Sequence, residues 1–236
     1  MSQTSYLWNP PPVFSLPVRG STARLPVNRI FCVGRNYHAH AIEMDRPVDK
    51  STASPFYFNK AASTLVQSGE TVPYPAGTQN YHFEMELVVA IGGSGFRVAE
   101  AEAAKLIFGY AVGLDMTRRD LQLVARDLGR PWDLGKDFEK SAVCSAIVPI
   151  GSLGVLDKGA INLSVNGETK QSSDISKLIW NIQEIIADLS RFYHLAPGDL
   201  IYTGTPEGVG AVKSGDRIAC HIDGVGDISL NIGPAE

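Results

Sequence analysis

The sequence predicts an α+β fold in which strands outnumber helices, and three observations carry that expectation. The chain has 236 residues with 23 glycines and 14 prolines. That is roughly a sixth of the chain against the ~12% of average usage. The excess has no collagen period and forms no low-complexity block, so it marks many turns. Residues 82–91 (HFEMELVVAI) then alternate strictly. Phe83, Met85, Leu87, Val89 and Ile91 share one face and His82, Glu84, Glu86, Val88 and Ala90 the other, which is the period of a strand. Finally, Asn166-Gly167 follows a short apolar run, the strongest short hairpin signal in the chain.

Residues 1–28, rich in Pro, Ser and Arg, read as an extended N-terminal segment, and 29–236 as a single domain. Residues 29–33 (RIFCV) form a short apolar strand that ends in the turn Gly34-Arg35-Asn36. The following stretch (YHAHAIEM) lacks Gly and Pro, which places a short helix near 37–45. Residues 55–58 read as a strand, 68–81 as turns, and 82–91 as the strand above, stopped by Gly92-Gly93-Ser94-Gly95. A helix is expected over 99–107, a strand over 109–114, and an amphipathic helix over 116–128 that Gly129-Arg130-Pro131 stops. Strands follow at 142–150 and 161–165, with another after Asn166-Gly167. A long helix is expected over 176–193, a strand over 200–203, and two or three short strands over 211–232.

Composition narrows the function. Basic and acidic residues number 21 and 25, a net charge of −4 with no basic stripe, which argues against nucleic acid or an anionic membrane as a partner. No apolar run reaches the ~18 residues of a membrane-spanning helix. The N-terminal MSQTSYLWNPPP has neither the basic nor the apolar region of a secretory signal. Cys32, Cys144 and Cys220 are odd in number and far apart, without CxxC spacing. They read as buried small side chains in a reducing, cytoplasmic setting.

Five places carry candidate chemistry. Glu84 and Glu86 fall on one strand face, where like charges repel unless a cation sits between them. The plain alternative is a solvated strand face. Asp115, at a strand end, completes a set of three hard-oxygen ligands suited to Mg²⁺ or Mn²⁺; the alternative is a helix N-cap, which Asp115 or Thr117 serves equally well. His40 and Glu43, three apart on a helix, share a face. A carboxylate that fixes an imidazole suits a general base, and a surface ion pair is the alternative. His38 with His40 has zinc-like HxH spacing but lacks a third ligand nearby. Lys136 either points to solvent or stabilises an enolate oxygen beside a metal. The loop Thr203-Gly204-Thr205-Pro206-Glu207-Gly208 lacks the Gly-Lys-Ser/Thr ending of a P-loop. It is a turn, or it binds a carboxylate through its amides and the Thr205 hydroxyl. No GxSxG motif supports a serine hydrolase.

In order along the chain stand Gly34-Arg35-Asn36-Tyr37 with His40 and Glu43; Phe58 and Lys60; His82-Phe83-Glu84-Met85-Glu86-Leu87; Leu114-Asp115-Met116-Thr117 with Arg119, Asp120 and Gln122; Pro131-Trp132 and Lys136; Val165-Asn166-Gly167-Glu168; and Thr203-Gly204-Thr205-Pro206 with Gly208-Val209-Gly210. Over about 29–232 this series resembles the fumarylacetoacetate hydrolase family in its short form. The resemblance implies a mixed β-sandwich roll and a homodimer. It implies Mg²⁺ or Mn²⁺ on Glu84, Glu86 and Asp115, and a lid helix carrying His40 and Glu43. It also implies substrate contacts from Lys136, Arg119, Gln122, Thr205 and Gly204. Ala142-Val143-Cys144 departs from a Pro-Gly-Pro-like stretch found in many members, which bears on the pocket wall. The wording YHFEMELVVAIG is most similar to the branch that cleaves fumarylpyruvate in gentisate-type aromatic catabolism. The implied reaction is therefore metal-dependent hydrolysis of a carbon–carbon bond in a small 2,4-dioxo acid, 3-fumarylpyruvate giving fumarate and pyruvate. Hydrolysis of another acylpyruvate, oxaloacetate decarboxylation, isomerisation of a 2-oxo diacid, and an inactive metal-binding β-domain are the alternatives.

Overall fold

The computed structural model describes residues 5–236; residues 1–4 of the expected N-terminal segment lie outside this range. Two sheets make up most of it. The larger has eight strands. Its path runs Phe56–Lys60, Ile30–Gly34, Leu200–Tyr202, Met85–Ile91, Ile107–Asp115, Ala142–Cys144 and Leu65–Gln67, and Val148–Pro149 pairs beside Ile107–Asp115. The second has five strands in the order Glu168–Asp174, Ala160–Val165, Arg217–Ile222, Gly226–Ala235 and Thr71–Tyr74. Most pairs are antiparallel. Leu200–Tyr202 runs parallel to Ile30–Gly34, Ala142–Cys144 to Leu65–Gln67, and Gly226–Ala235 to Thr71–Tyr74, so the sheets are mixed.

The two faces of Met85–Ile91 explain why all seven of its residues are buried. Met85, Leu87, Val89 and Ile91 enter the main core, which also takes Ile161, Leu163, Ile218 and Leu230 from the five-stranded sheet. Val88 and Ala90 face a second cluster that the N-terminal hairpin closes through Leu16 and Leu25. The helix Ile182–Leu189 buries Ile182, Ile185, Ile186 and Leu189. Spacing of three and four puts them on one stripe, each contributing about 1.5–3 kcal/mol of apolar burial. Asn166 and Gly167 both have positive φ (53° and 84°) and join Ala160–Val165 to Glu168–Asp174, the hairpin that the sequence predicts. All three cysteines are buried and free. Among the described residues no helix is long and apolar enough to cross a membrane.

Several elements differ from expectation, each for a local reason. The strand expected over 82–91 breaks at Glu84. Tyr81–Phe83 pairs in a separate three-stranded sheet with Thr117–Arg118 and Gly210–Val212, while Met85–Ile91 joins the large one. The stretch 68–81 is not all turn, because Thr71–Tyr74 is the last strand of the five-stranded sheet. At an edge, Pro73 lacks an N–H that no neighbour needs. The long helix over 176–193 is only Ile182–Leu189, because Asn181 and Glu184 form a reciprocal capping box that starts it there. The helix over 116–128 begins at Arg119, since Thr117 and Arg118 pair with His82 and Tyr81. The strand over 142–150 is interrupted at Ser145, whose Oγ accepts from Val112 N at 3.0 Å in place of a ladder carbonyl.

Candidate active site

The break at Glu84 builds the site. There the chain passes from one sheet to the other, and Glu84 and Glu86 meet Asp115, the last residue of the strand Ile107–Asp115. Carboxylate oxygens of the three lie within 4.8 Å of one another, and all three residues are buried. The solvated-face alternative for Glu84 and Glu86 therefore fails. Among the described residues this is the cluster of three or more His, Cys, Asp or Glu able to hold a metal. His38 is exposed and belongs to no such cluster, so the HxH spacing does not form a site.

Cations surround this cluster unevenly. Lys136 Nζ donates to Glu84 Oε2 and Asp115 Oδ2 at 2.6 Å each and to Thr117 Oγ1 at 2.8 Å. Arg119 donates to the other oxygen of Glu84. Burial opposes ionisation of Glu84, yet Lys136 and Arg119 outweigh it and hold that carboxyl well below the usual carboxylate range. Glu86 is the opposite case. Burial, Asp115 and Glu84 push its carboxyl well above the usual range, and the Gly204 N–H, 2.7 Å from its Oε2, offsets only part of this. No basic side chain forms an ion pair with Glu86 among the described residues. Burial works against the charge of Lys136, but Asp115 and Glu84 raise it above the usual lysine value. An isolated buried charge costs several kcal/mol, so this cluster is built to receive a further cation. The all-oxygen donor set fits Mg²⁺ or Mn²⁺.

Lys136 ends the single helical turn Asp133–Lys136, which packs on the helix Arg119–Asp127. That approach requires Gly135, because a Cβ there would sit 2.8 Å from Gln122 N. Gly204, at φ 103°, similarly leaves no room for a side chain against Asn36, and so brings its N–H to Glu86.

The short helix expected near 37–45 is His38–Glu43. His40 is buried, and its Nδ1 lies 2.9 Å from Glu43 Oε2. Glu43 Oε1 accepts from Gly208 N at 3.0 Å, so the helix is tied to the glycine-rich loop. Burial opposes the charge on Glu43, but the bonds from His40 and Gly208 lower its carboxyl below the usual value. A cavity of about 310 Å³ is lined by His40, Glu84, Arg119, Gln122 and Lys136, with Phe56, Phe58 and Trp132 as an aromatic wall. That volume is at the low end for ligand pockets, which suits a small substrate. Gly204 and Thr205 do not line it: the Thr205 hydroxyl accepts from Gln171 Nε2 at 2.9 Å. His82 packs beside Arg119, and burial with that guanidinium lowers its pKa to about 4.

Sequence reasoning assigned no role to three supporting residues, of which Lys60 and Asn36 stand in the family series and Gln171 does not. Lys60 Nζ, fully buried, lies 2.9 Å from Asp115 Oδ1 and donates to Ser141 Oγ at 2.9 Å and to the Lys136 carbonyl. Beyond its place in the family series, its local signal is a lysine closing the aromatic strand Phe56–Lys60. The geometry at Asp115 Oδ1 makes an ion pair without a hydrogen bond, so that oxygen keeps its accepting capacity. Gln171 Oε1 accepts from Met85 N at 3.0 Å, replacing the ladder bond lost at the strand break. Asn36 donates to the carbonyls of Trp180 and Thr203 at 2.9 and 2.8 Å, fixing the turn before the helix His38–Glu43.

The family model described as fumarylacetoacetate (FAA) hydrolase C-terminal matches residues 29–232. The chain belongs to this family. Within it, the chain is 66% identical over 193 residues to a fumarylpyruvate hydrolase of Ralstonia sp, covering 82% of this chain and all of that one. It is 43% identical over 196 residues to a mitochondrial oxaloacetate tautomerase of Rattus norvegicus, covering 83% and 87% of the two chains. Its fold matches the crystal structure of fumarylpyruvate hydrolase from Pseudomonas aeruginosa in complex with Mn²⁺ and pyruvate. That match has a TM-score of 0.93 at 47% identity and covers 98% of this chain and all of that one. The fold class expected from sequence, an α+β roll of mixed sheets, is the fold of this family.

Proposed function

We propose that the chain hydrolyses a carbon–carbon bond in an acylpyruvate, converting 3-fumarylpyruvate to fumarate and pyruvate, with Mg²⁺ or Mn²⁺ held by Glu84, Glu86 and Asp115. The observation that carries this reading is the cluster of three buried carboxylates around Lys136, of which Glu84 and Lys136 line a cavity that His40 also lines. A bound divalent ion would supply Lewis-acid polarisation and neutralise negative charge at that floor.

The protein's own groups divide the remaining work. Arg119 and Gln122 face the cavity and bind the oxygens of the 2-oxo acid end. With Nδ1 donating to Glu43, His40 keeps its lone pair on Nε2 and takes a proton from water. The hydroxide adds to the 4-carbonyl, the bond between that carbon and the methylene breaks, and fumarate leaves. The electron pair stays on the pyruvate fragment as an enolate, whose oxygen the Lys136 ammonium stabilises. The proton held by His40 then returns to the methylene carbon and completes pyruvate. Gly204 and Thr205 act one step back, Gly204 by orienting Glu86 and Thr205 through Gln171.

The Ralstonia relative and the pyruvate-bound neighbour favour this reading, while the tautomerase relative favours isomerisation of oxaloacetate on the same floor. A cytoplasmic enzyme of gentisate-type breakdown fits three free buried cysteines. A homodimer is the assembly that the family resemblance implies. The test is incubation of the Mn²⁺-loaded protein with 3-fumarylpyruvate. Fumarate and pyruvate should appear in equal amounts, and removal of metal by chelation should stop them. Enol–keto conversion of oxaloacetate without cleavage of any acylpyruvate would overturn the proposal in favour of the isomerase.

A further inference from the structure

The cavity grades from a buried floor at Glu84 and Lys136 to a rim that is basic. Five arginines line it. Two are already engaged: Arg119 by Glu84, and Arg126 by Asp127, with Nε 2.9 Å from Oδ1. Arg35, Arg46 and Arg130 pair with no carboxylate among the described residues. Arg46 and Arg130 are exposed and Arg35 is half-buried.

Three positive charges without carboxylate partners among the described residues, around one small opening in a chain of net charge −4, form a local field that draws anions. The placement of Arg35 supports a role in binding. Its φ of 56° is uncommon for a residue with a side chain. Held in that turn, its guanidinium lies 5.6 Å from the Phe56 ring centroid. Phe56 packs edge-on to Trp132, with centroids 5.0 Å apart, and Phe58 lies 5.8 Å from Trp132. Lys136 Nζ is 4.8 Å from the Phe58 centroid. An aromatic wall therefore runs from the ammonium on the floor to the guanidinium at the rim. A flat, conjugated chain with an anion at each end matches that sequence of surfaces, since guanidinium binds carboxylate through paired N–H groups.

We propose that Arg35, Arg46 and Arg130 form a carboxylate-selecting rim, so that the cavity prefers acylpyruvates whose acyl group ends in a second carboxylate over those with a neutral acyl group. This inference rests on the acylpyruvate reading above and specifies which acyl end the site takes. The floor binds the part shared by all acylpyruvates, and the rim sets specificity.

Two measurements test it separately from the hydrolase reading. The first is the ratio of kcat/KM for fumarylpyruvate to that for acetylpyruvate, in the native chain, in Arg130→Gln and in a variant with all three arginines changed to Gln. A hydrogen-bonded charge pair is worth about tenfold or more. The ratio should therefore fall by about tenfold in Arg130→Gln and further in the triple variant. An unchanged ratio, whether or not both rates drop, overturns the rim. The second is calorimetric titration of the Mn²⁺-loaded protein with 2-oxoadipate and with 2-oxohexanoate, which differ only in the terminal carboxylate and lack the cleavable 4-carbonyl. The native chain should bind 2-oxoadipate at least about tenfold more tightly, and the triple variant should lose that preference. If neither acylpyruvate is cleaved but this preference exists and disappears with the arginines, the hydrolase reading fails and the rim stands. Equal affinity of the native chain for the two acids overturns the rim whatever the turnover.

Discussion

Glu84, Glu86, Asp115 and Lys136 are each at most 4% exposed and are held by strands, by the junction between two strands, or by a turn packed tightly on a helix. Glu43, which pairs with the cavity-lining His40, has a third of its side chain exposed and sits on a helix of six residues. The neighbouring Ile42 is 64% exposed. The floor is thus embedded in the sheet, while the lid is held by a few polar bonds to the loop at Gly208 and the turn at Asn36. Charges that must stay close despite repulsion need a rigid frame. A base that meets water and substrate can sit on an element that opens at little cost, because local openings draw on the least stable parts of a structure. If that contrast is right, damage to the floor should be felt in metal, stability and activity together. Damage to the lid should be felt in activity alone.

The largest effect is expected at Glu84. Glu84→Ala removes one metal ligand and leaves Lys136 and Arg119 buried beside a lost partner. Breaking a buried pair in this way costs about 3–5 kcal/mol. Metal content by elemental analysis and turnover should fall together, with a lowered Tm. A variant that keeps full metal stoichiometry would remove Glu84 from the ligand set. Glu86→Gln sharpens the contrast within the floor. Its amide oxygen keeps the bond from Gly204 N and its neutral head relieves the repulsion from Asp115 and Glu84. The metal-free variant should melt no lower than the native chain, yet Mn²⁺ should no longer raise its Tm.

The lid comes next. His40→Ala should lower kcat by about 10²–10⁴, the usual range for a positioned general base, with metal affinity and Tm close to native. A fall of less than about tenfold would show that another group takes the proton.

The same contrast governs what the sequence could reveal. The clustering of the three carboxylates was legible because alternation over 82–91 puts Glu84 and Glu86 on one side, even though the strand breaks at Glu84, and a carboxylate at a strand end marks Asp115. The pairing of His40 with Glu43 was legible because helical spacing is local. The roles of Lys60 and Gln171 were not. Each acts on groups far along the chain, Lys60 on residues 56–81 positions away and Gln171 on Met85, 86 positions away, and no local period links them. The rim was hidden for the same reason: three arginines scattered over 35–130 become neighbours only when the turn before the lid meets the loop after the helix Arg119–Asp127. Propensity also gave way to particular side chains. The Asn181–Glu184 cap shortened a helix whose apolar pattern runs on, and an edge position admitted Pro73 to a strand.

The smallest effect tests how the lid is fastened. Glu43 accepts at once from His40 Nδ1 and from Gly208 N, and these bonds lower its carboxyl below the ordinary 4.5. A carboxyl held below its unfolded value contributes fully above that value and loses its contribution as pH falls through the lower, folded one. Protection of the Gly208 amide in hydrogen exchange should therefore be constant above about pH 5. It should fall only in acid below the ordinary glutamate range, with the floor's amides, such as Gly204 N, still protected at the onset. Glu43→Gln should reproduce the acid state at neutral pH, with Gly208 exchanging a few-fold faster, as expected for one hydrogen bond to a charged acceptor on a partly exposed side chain. If Gly208 and Gly204 lost protection together, lid and floor would open as one unit and the division between them would fail. If Gly208 exchange were the same in Glu43→Gln as in the native chain, the lid would be held by the turn at Asn36 and not by its carboxylate.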